Sequence, residues 1–168
     1  MKDTRSRVAR QAAALLVTTC LGAWLTTSHA VSISPAGDIV AQGKLRYRKG
    51  FVTLECLTTF TSHITPEGKL TVRAADFGSN GLCGNITPRG LPWSGQAESD
   101  TILVIHDAQV QVDAPLLGGP CGPSRLELIW DNAQSTLTFK DVVLKAPKGS
   151  DCTTNGVITV TPALDVKP

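Results

Sequence analysis

The chain has 168 residues, of which 42% are apolar and 18% are charged, and its formal net charge at neutral pH is +2. Residues 31–168 alone contain 12 Lys or Arg and 13 Asp or Glu, which gives a net charge of −1. No basic field therefore favours nucleic acid or an anionic membrane surface as a partner, and the length suits one domain with a substantial core.

Residues 1–30 have the organisation of a secretory signal peptide. Four basic residues among the first ten precede the apolar stretch QAAALLVTTCLGAWLTT, and Ser28–Ala30 forms a small-x-small cleavage site. A permanent anchor would need about 20 predominantly apolar residues, whereas this stretch is shorter and contains threonines. We therefore expect cleavage after Ala30, no membrane span in the mature chain, and a secreted, periplasmic or outer-surface location.

Beyond residue 30, apolar and polar residues alternate with the period of β-strands. The apolar face of the first clear strand consists of Val52, Leu54, Cys56 and Phe60. Pro66 and Gly68 then favour a turn, because proline presets φ and glycine tolerates a positive φ. The apolar face that follows this turn consists of Leu70, Val72 and Ala74. The pattern predicts a hairpin with one buried face, and the stretch before Ile39 is expected to be a loose leader strand.

A second hairpin is predicted over residues 125–144, RLELIWDNAQSTLTFKDVVL. Its two apolar faces consist of Leu126, Leu128 and Trp130 on one strand and of Leu137 and Phe139 on the other. The segments ILVIHDAQVQV and GVITVTPAL add further strands, and no segment after residue 30 has a helical apolar stripe. Gly and Pro recur at short intervals, as they do in all-β folds. We expect a single all-β domain over residues 31–168, either an antiparallel sandwich or a barrel.

Four cysteines remain after the signal peptide and Cys20 are removed: Cys56, Cys83, Cys121 and Cys152. An even number in an oxidising compartment favours two disulfides, and the spacing lacks the Cys-x-x-Cys pairs of structural zinc sites. Cys121 and Cys152 flank the second hairpin, whose outer ends meet, and Cys56 and Cys83 flank the first turn. This pairing is favoured, while the two other connectivities stay open.

The sequence predicts no catalytic residues, no metal ligands and no cofactor. His63 and His106 lack a second histidine at the spacing of a zinc protease helix, and Ser94 in GLPWSG lacks the glycine of a nucleophile elbow and is assigned to a turn. Carboxylates that could form a glycosidase pair are Asp107, Asp113, Glu127 and Asp131, but alternation places Glu127 on the outer face. We expect a protein that is not an enzyme.

Two other segments are distinctive. KLRYRKG (44–50) concentrates four cations, which are interpreted as protection of an edge strand against pairing between molecules. NGLCGNITPRGLPW (80–93) is interpreted as an architectural loop, in which Asn80-Gly81 forms a tight turn and a cysteine ties the loop to a strand. Trp93 is more often a core residue than a ligand platform, but it is the candidate for a surface contact.

The order of several short segments resembles one family. These segments are ISPAG, CLTTFTSHITPEG, LCGNITPRGLPW, PLLGGPCG, LELIWDNAQSTLTF and CTTNGVITVTPAL. Together with the four cysteine positions, they resemble the small exported proteobacterial proteins called alkane oxidation protein activators, the PraB-like family, over nearly the whole mature chain. The resemblance implies no catalytic residues.

The resemblance implies an exported accessory protein that assists growth on hydrocarbons, by helping the cell to contact or disperse them. Its partners would be hydrocarbon or components of the cell surface, and its oligomeric state is open. The alternative is a pilin-like or adhesin-type structural subunit. Subunits that assemble by strand donation carry an extension that fills the groove of a neighbour, and alternation in residues 31–42 is too weak to predict a donor strand.

Overall fold

The computed structural model describes residues 31–115 and 117–168. The predicted signal peptide, residues 1–30, lies outside the described residues. The description begins at Val31, the first residue after the predicted cleavage site. The strands are β1 (Ser32–Ser34), β2 (Gly37–Lys49), β3 (Val52–Ile64), β4 (Lys69–Asp76), β5 (Ile86–Arg89), β6 (Trp93–Ala97), β7 (Ile102–Val112), β8 (Gly119–Asp131), β9 (Thr136–Leu144), β10 (Cys152–Thr161) and β11 (Asp165–Lys167). A 3₁₀ helix, Gly81–Asn85, lies between β4 and β5.

Eight antiparallel strands form a closed barrel. The order around the ring is β2, β3, β4, β6, β7, β8, β9 and β10, and β10 pairs with β2 to complete it. β5 pairs with Gln109–Val112 at the end of β7 and so continues the wall where β6 is absent. The all-β prediction is confirmed, and of the two architectures left open the barrel is the observed one. In barrels of this size the interior is filled by side chains or holds one small ligand.

The predicted alternation places the core inside the barrel. The residues predicted to face inward in β8 and β9 are all buried: Leu126, Leu128, Trp130, Leu137 and Phe139. The face predicted for β4 is wrong at Ala74, which is exposed, while Ala75 is buried. The cause is a β-bulge: Thr61 pairs with Ala74 but Ser62 pairs with Val72, so Arg73 is an extra residue that reverses the alternation.

One end of the barrel, here called the closed end, is covered by the small sheet of β1 and β11. The apolar side chains Ile33 and Val166 of this sheet are buried against the core, as is Leu164 just before β11. The Asn132 side chain fastens this sheet, because its Nδ2 donates to Val166 O at 2.8 Å and its Oδ1 accepts from Val166 N at 2.8 Å. The segment predicted as a loose leader is therefore ordered: β1 belongs to this sheet, and β2 already begins at Gly37.

The opposite end, here called the open end, is surrounded by the β2–β3 turn, residues 77–85, the β7–β8 loop and the β9–β10 loop. Both predicted disulfides are present there. Cys56 in β3 bonds to Cys83 in the 3₁₀ helix, and Cys121 in β8 bonds to Cys152 in β10, with Cα separations of 5.7 and 6.0 Å. The predicted pairing is confirmed, although Cys121 lies inside β8 and not before it.

Three local interpretations are corrected. KLRYRKG is not on an edge, because β2 lies between β3 and β10 in the ring. The tight turn predicted at Asn80-Gly81 is absent. Gly81 has a positive φ (56°), but Asn80 is extended with φ −75°, so the two residues start the 3₁₀ helix. Ser94 lies within β6 and not in a turn. Within the described ranges, no helix is long and apolar enough to cross a membrane.

Candidate functional site

The half of the barrel next to the open end contains a cavity of about 160 Å³. Side chains from most strands of the ring line it, and nearly all of them are apolar. The main apolar lining residues are Leu54, Phe60, Phe77, Leu82, Ile86, Trp93, Ala108, Val110, Val112, Leu117, Leu126, Phe139 and Leu144. An apolar cavity of similar size, about 150 Å³, stays dry and binds benzene in an engineered protein. The interior is therefore suited to a small apolar molecule.

Aromatic rings form the floor of this cavity. Phe60 and Phe139 stack with their centroids 6.2 Å apart, and both also line a smaller cavity of about 40 Å³ towards the closed end. Phe77 meets Phe60 and Tyr47 edge to face, with centroid distances of 6.3 and 5.6 Å. Such pairs add about 0.5–1.5 kcal/mol beyond area burial. Because the stacked pair lines both cavities, it lies between them.

The cavity reaches the protein surface at the open end. Leu82 of the 3₁₀ helix lines it and is 48% exposed, and Leu117 of the β7–β8 loop is half-buried. A Cβ atom added at Gly50 would lie 3.2 Å from Leu117 Cδ2 and 3.3 Å from Ser150 Oγ, so the β2–β3 turn packs between two loops. Phe51, at the tip of that turn, is 82% exposed. The entrance is therefore bordered by apolar side chains on several loops.

Two polar side chains of β2 point inward. The Tyr47 hydroxyl is 2.8 Å from Thr58 Oγ1, and burial raises the pKa of Tyr47 above its ordinary value. Lys49 lines the cavity and is only 8% exposed. Its Nζ donates to Ser150 O at 2.9 Å and lies 3.1 Å from Cys121 Sγ. Burial lowers the pKa of Lys49, and the charge of Asp151 partly opposes this effect.

The predicted surface contact, Trp93, is a lining residue of the cavity instead. It is 3% exposed, and its Nε1 donates to Arg89 O at 2.7 Å. The surface interpretation is wrong because Trp93 is the first residue of β6 and its parity directs it into the barrel, which agrees with the core role that the sequence also favoured. Lys49 was missed because it was grouped with neighbouring cations, although it shares the parity of Leu45 and Tyr47.

The residues weighed for catalysis are spread over the barrel. His63 Nδ1 is 2.7 Å from Asp38 Oδ1, which also accepts from Arg73 at 2.9 Å, and the two contacts lower the pKa of Asp38 in that order of size. Ser94 is exposed on β6, and Glu127 is exposed on β8, where Arg125 pairs with it. Among residues 31–115 and 117–168, no group of three or more His, Cys, Asp or Glu could hold a metal ion.

The fold and the cavity define the class: a small, disulfide-bonded, antiparallel β-barrel with an apolar chamber at one end. The family can then be stated. The chain belongs to the alkane oxidation protein activator PraA/PraB-like family, whose model matches residues 1–168, the whole chain. The resemblance found in the sequence is thereby confirmed. Comparison with curated proteins and with solved structures finds no match.

Proposed function

We propose that this protein is an exported accessory protein, without a catalytic centre of its own, that binds hydrocarbon in the barrel and so assists alkane oxidation by its host. The observation that carries the proposal is the apolar cavity of about 160 Å³, which Leu82 and Leu117 line at the open end of the barrel. Family membership supplies the link to alkanes. Hydrocarbon contact is thus assigned to the interior of the barrel and not to an exposed loop.

The size of the cavity limits the length of chain that can be enclosed. By comparison with the benzene-binding cavity of similar volume, about six carbon atoms fit inside. A longer alkane would extend through the entrance, along the apolar side chains of the 3₁₀ helix and the β7–β8 loop. Each enclosed methylene contributes about 0.8 kcal/mol, so that a short segment of chain is enough for measurable affinity.

Two further observations support an exported, non-catalytic role. Disulfides persist mainly in oxidising compartments, and two of them fasten the open end. In the described part of the chain, the one side-chain hydrogen bond of His63 is to Asp38, so the histidine is not paired with a hydroxyl nucleophile. The pilin-like alternative is not favoured, because strand donation needs an open groove and this ring of strands is closed.

The test is a matched pair of cavity and surface variants. Val112 lines the cavity and is half-buried, whereas Val157 is 51% exposed on the outer face of β10. Val112→Phe should fill the entrance and abolish binding of soluble medium-chain alcohols measured by calorimetry, while Val157→Phe should leave binding unchanged.

Growth supplies the cellular readout. A deletion strain carrying Val157→Phe should grow on alkane as it does with the natural chain, and a strain carrying Val112→Phe should grow poorly on alkane but normally on a soluble carbon source. Full growth on alkane with a folded Val112→Phe protein would contradict the proposal.

A further inference from the structure

A buried lysine at the wall of an apolar cavity needs a physical explanation. Lys49 is 8% exposed, and none of the seven ion pairs found in residues 31–115 and 117–168 includes it. A buried ammonium group without a counter-charge is destabilising, and a methionine of similar shape would fill the position without that penalty. The lysine therefore points to an anion that is bound when the protein acts.

The neighbours of Lys49 offer its ammonium group only one strong acceptor. The ammonium group has three N–H donors. One donates to Ser150 O at 2.9 Å, and the sulfur atoms of the Cys121–Cys152 disulfide, at 3.1 and 3.8 Å, are weak acceptors. A strong acceptor would therefore improve the environment of Nζ.

Asp151, the acid whose charge acts on Lys49, makes its own contacts elsewhere. Its Oδ2 accepts from Lys145 Nζ at 2.8 Å and its Oδ1 accepts from Ala146 N at 2.9 Å. Both contacts hold this carboxylate on the β9–β10 loop. Asp151 therefore acts on Lys49 only through the charge of its carboxylate, and in the described residues it makes no ion pair with Nζ.

We propose that the barrel binds a medium-chain fatty acid, with the alkyl tail in the apolar cavity and the carboxylate paired with Lys49 at the open end. This inference rests on the proposed function, because it uses the same cavity for the tail. Ser150, which holds Nζ, belongs to the β9–β10 loop, so the cation is placed at the level of the entrance. The tail would point down towards the stacked rings of Phe60 and Phe139.

The ligand class also fits the chemistry of alkanes. A fatty acid is the product of complete oxidation at the terminal carbon of an alkane of the same length. The tail therefore makes the same apolar contacts as the hydrocarbon, and only the carboxylate requires Lys49. A single cation at the entrance distinguishes the oxidised chain from the unoxidised one.

The experiment compares the binding of three eight-carbon ligands to the mature protein with both disulfides formed. Calorimetry at neutral pH should give tighter binding for octanoate than for 1-octanol, and much weaker binding for octylamine. Lys49→Met should weaken octanoate by ~10- to 100-fold, the usual worth of a hydrogen bond to a charged group, and so remove the preference for octanoate over 1-octanol. The matched control is Lys44→Met on the outer face of the same strand, where Lys44 is exposed and pairs with Glu55 at 3.8 Å.

The possible results separate the two proposals. If 1-octanol binds but octanoate binds no more tightly, the assignment of Lys49 is wrong and the hydrocarbon site stands. If none of the three ligands binds, both proposals fail. Should Lys49→Met not fold, carboxyl-labelled octanoate in complex with the natural chain should show a carboxyl resonance that titrates below its free value, and an unshifted titration would overturn the inference.

Discussion

The dependence of affinity on chain length is the most direct test of an enclosed site. Binding of linear primary alcohols from butanol to dodecanol should strengthen by about 0.8 kcal/mol, or ~4-fold in Kd, for each methylene that enters the cavity. The cavity of about 160 Å³ is filled by about six carbons. The slope should therefore be steep up to about hexanol, with ~15-fold between butanol and hexanol, and shallow beyond it.

Isothermal calorimetry on the mature, disulfide-bonded chain measures this series, and Val112→Phe provides the control with a filled entrance. The volume of the cavity can also be enlarged by a substitution in its aromatic floor. Phe139→Ala should join the cavity of about 160 Å³ to the one of about 40 Å³ and shift the change of slope to longer alcohols, at a cost of about 3–5 kcal/mol in stability. A slope that stays constant up to dodecanol would refute an enclosed site. Such a slope is expected for adsorption to an apolar surface, which has no defined volume to fill.

Three further predictions concern export, the disulfides and catalysis. The exported protein should have an intact mass that begins at Val31, and a membrane-bound species that retains Met1 would contradict the signal peptide. Native protein should not react with alkylating reagents, and removal of the Cys121–Cys152 pair by double substitution with alanine should lower the free energy of unfolding by about 2–4 kcal/mol in chemical denaturation; an unchanged value would show that the bridge adds nothing. Simultaneous replacement of His63, Ser94 and His106 by alanine should leave a folded protein that restores growth of a deletion strain on alkane, and loss of growth with an intact near-ultraviolet circular dichroism spectrum would reveal an active site.

The alternation of side chains predicted the strands and the inward faces of the two main hairpins, because adjacent strands are set by local pattern and turn residues. Closure of the ring could not be predicted in the same way. It depends on the pairing of β2 with β10, which are far apart in the chain. An alternation of apolar and polar residues shows that one face of a strand is buried, but it does not show which element covers that face. Ala74 was misplaced because one extra residue, Arg73, reverses the alternation without a signal in the sequence.

The site was predictable only in part, for a different reason. Trp93 and Phe60 were correctly expected to be apolar core residues. The volume of a cavity depends on how all of its lining side chains pack together, so no single residue in the sequence indicates it. Lys49 could have been found. Its parity with Leu45 places it inside the barrel. The four cations of KLRYRKG were instead treated as one group, although only Lys44, Arg46 and Arg48 share the outer face.

The positions of the disulfides follow from the hollow end of the barrel. By the measured cost of apolar cavities, a volume of about 160 Å³ destabilises a fold by about 4 kcal/mol, and one of about 40 Å³ by about 1 kcal/mol. The ladder is also incomplete at the open end, since β8 pairs with β9 only over Ile129–Asp131 and β6 reaches β4 only as far as Val72.

Both disulfides lie at this end of the barrel. The Cys121–Cys152 bridge connects β8 to β10 at the end of β9, where Cys152 pairs with Leu144. The Cys56–Cys83 bridge holds the 3₁₀ helix against the part of β3 that extends beyond its pairing with β4. Two bridges at about 2–4 kcal/mol each offset the cavity and leave a margin for the missing strand pairs. The closed end has only the cavity of about 40 Å³ to compensate, and it is covered by the hydrogen bonds of Asn132 to Val166 and by buried apolar side chains without a disulfide. A covalently fastened, hollow end opposite a more tightly packed one agrees with the proposed binding site in the barrel.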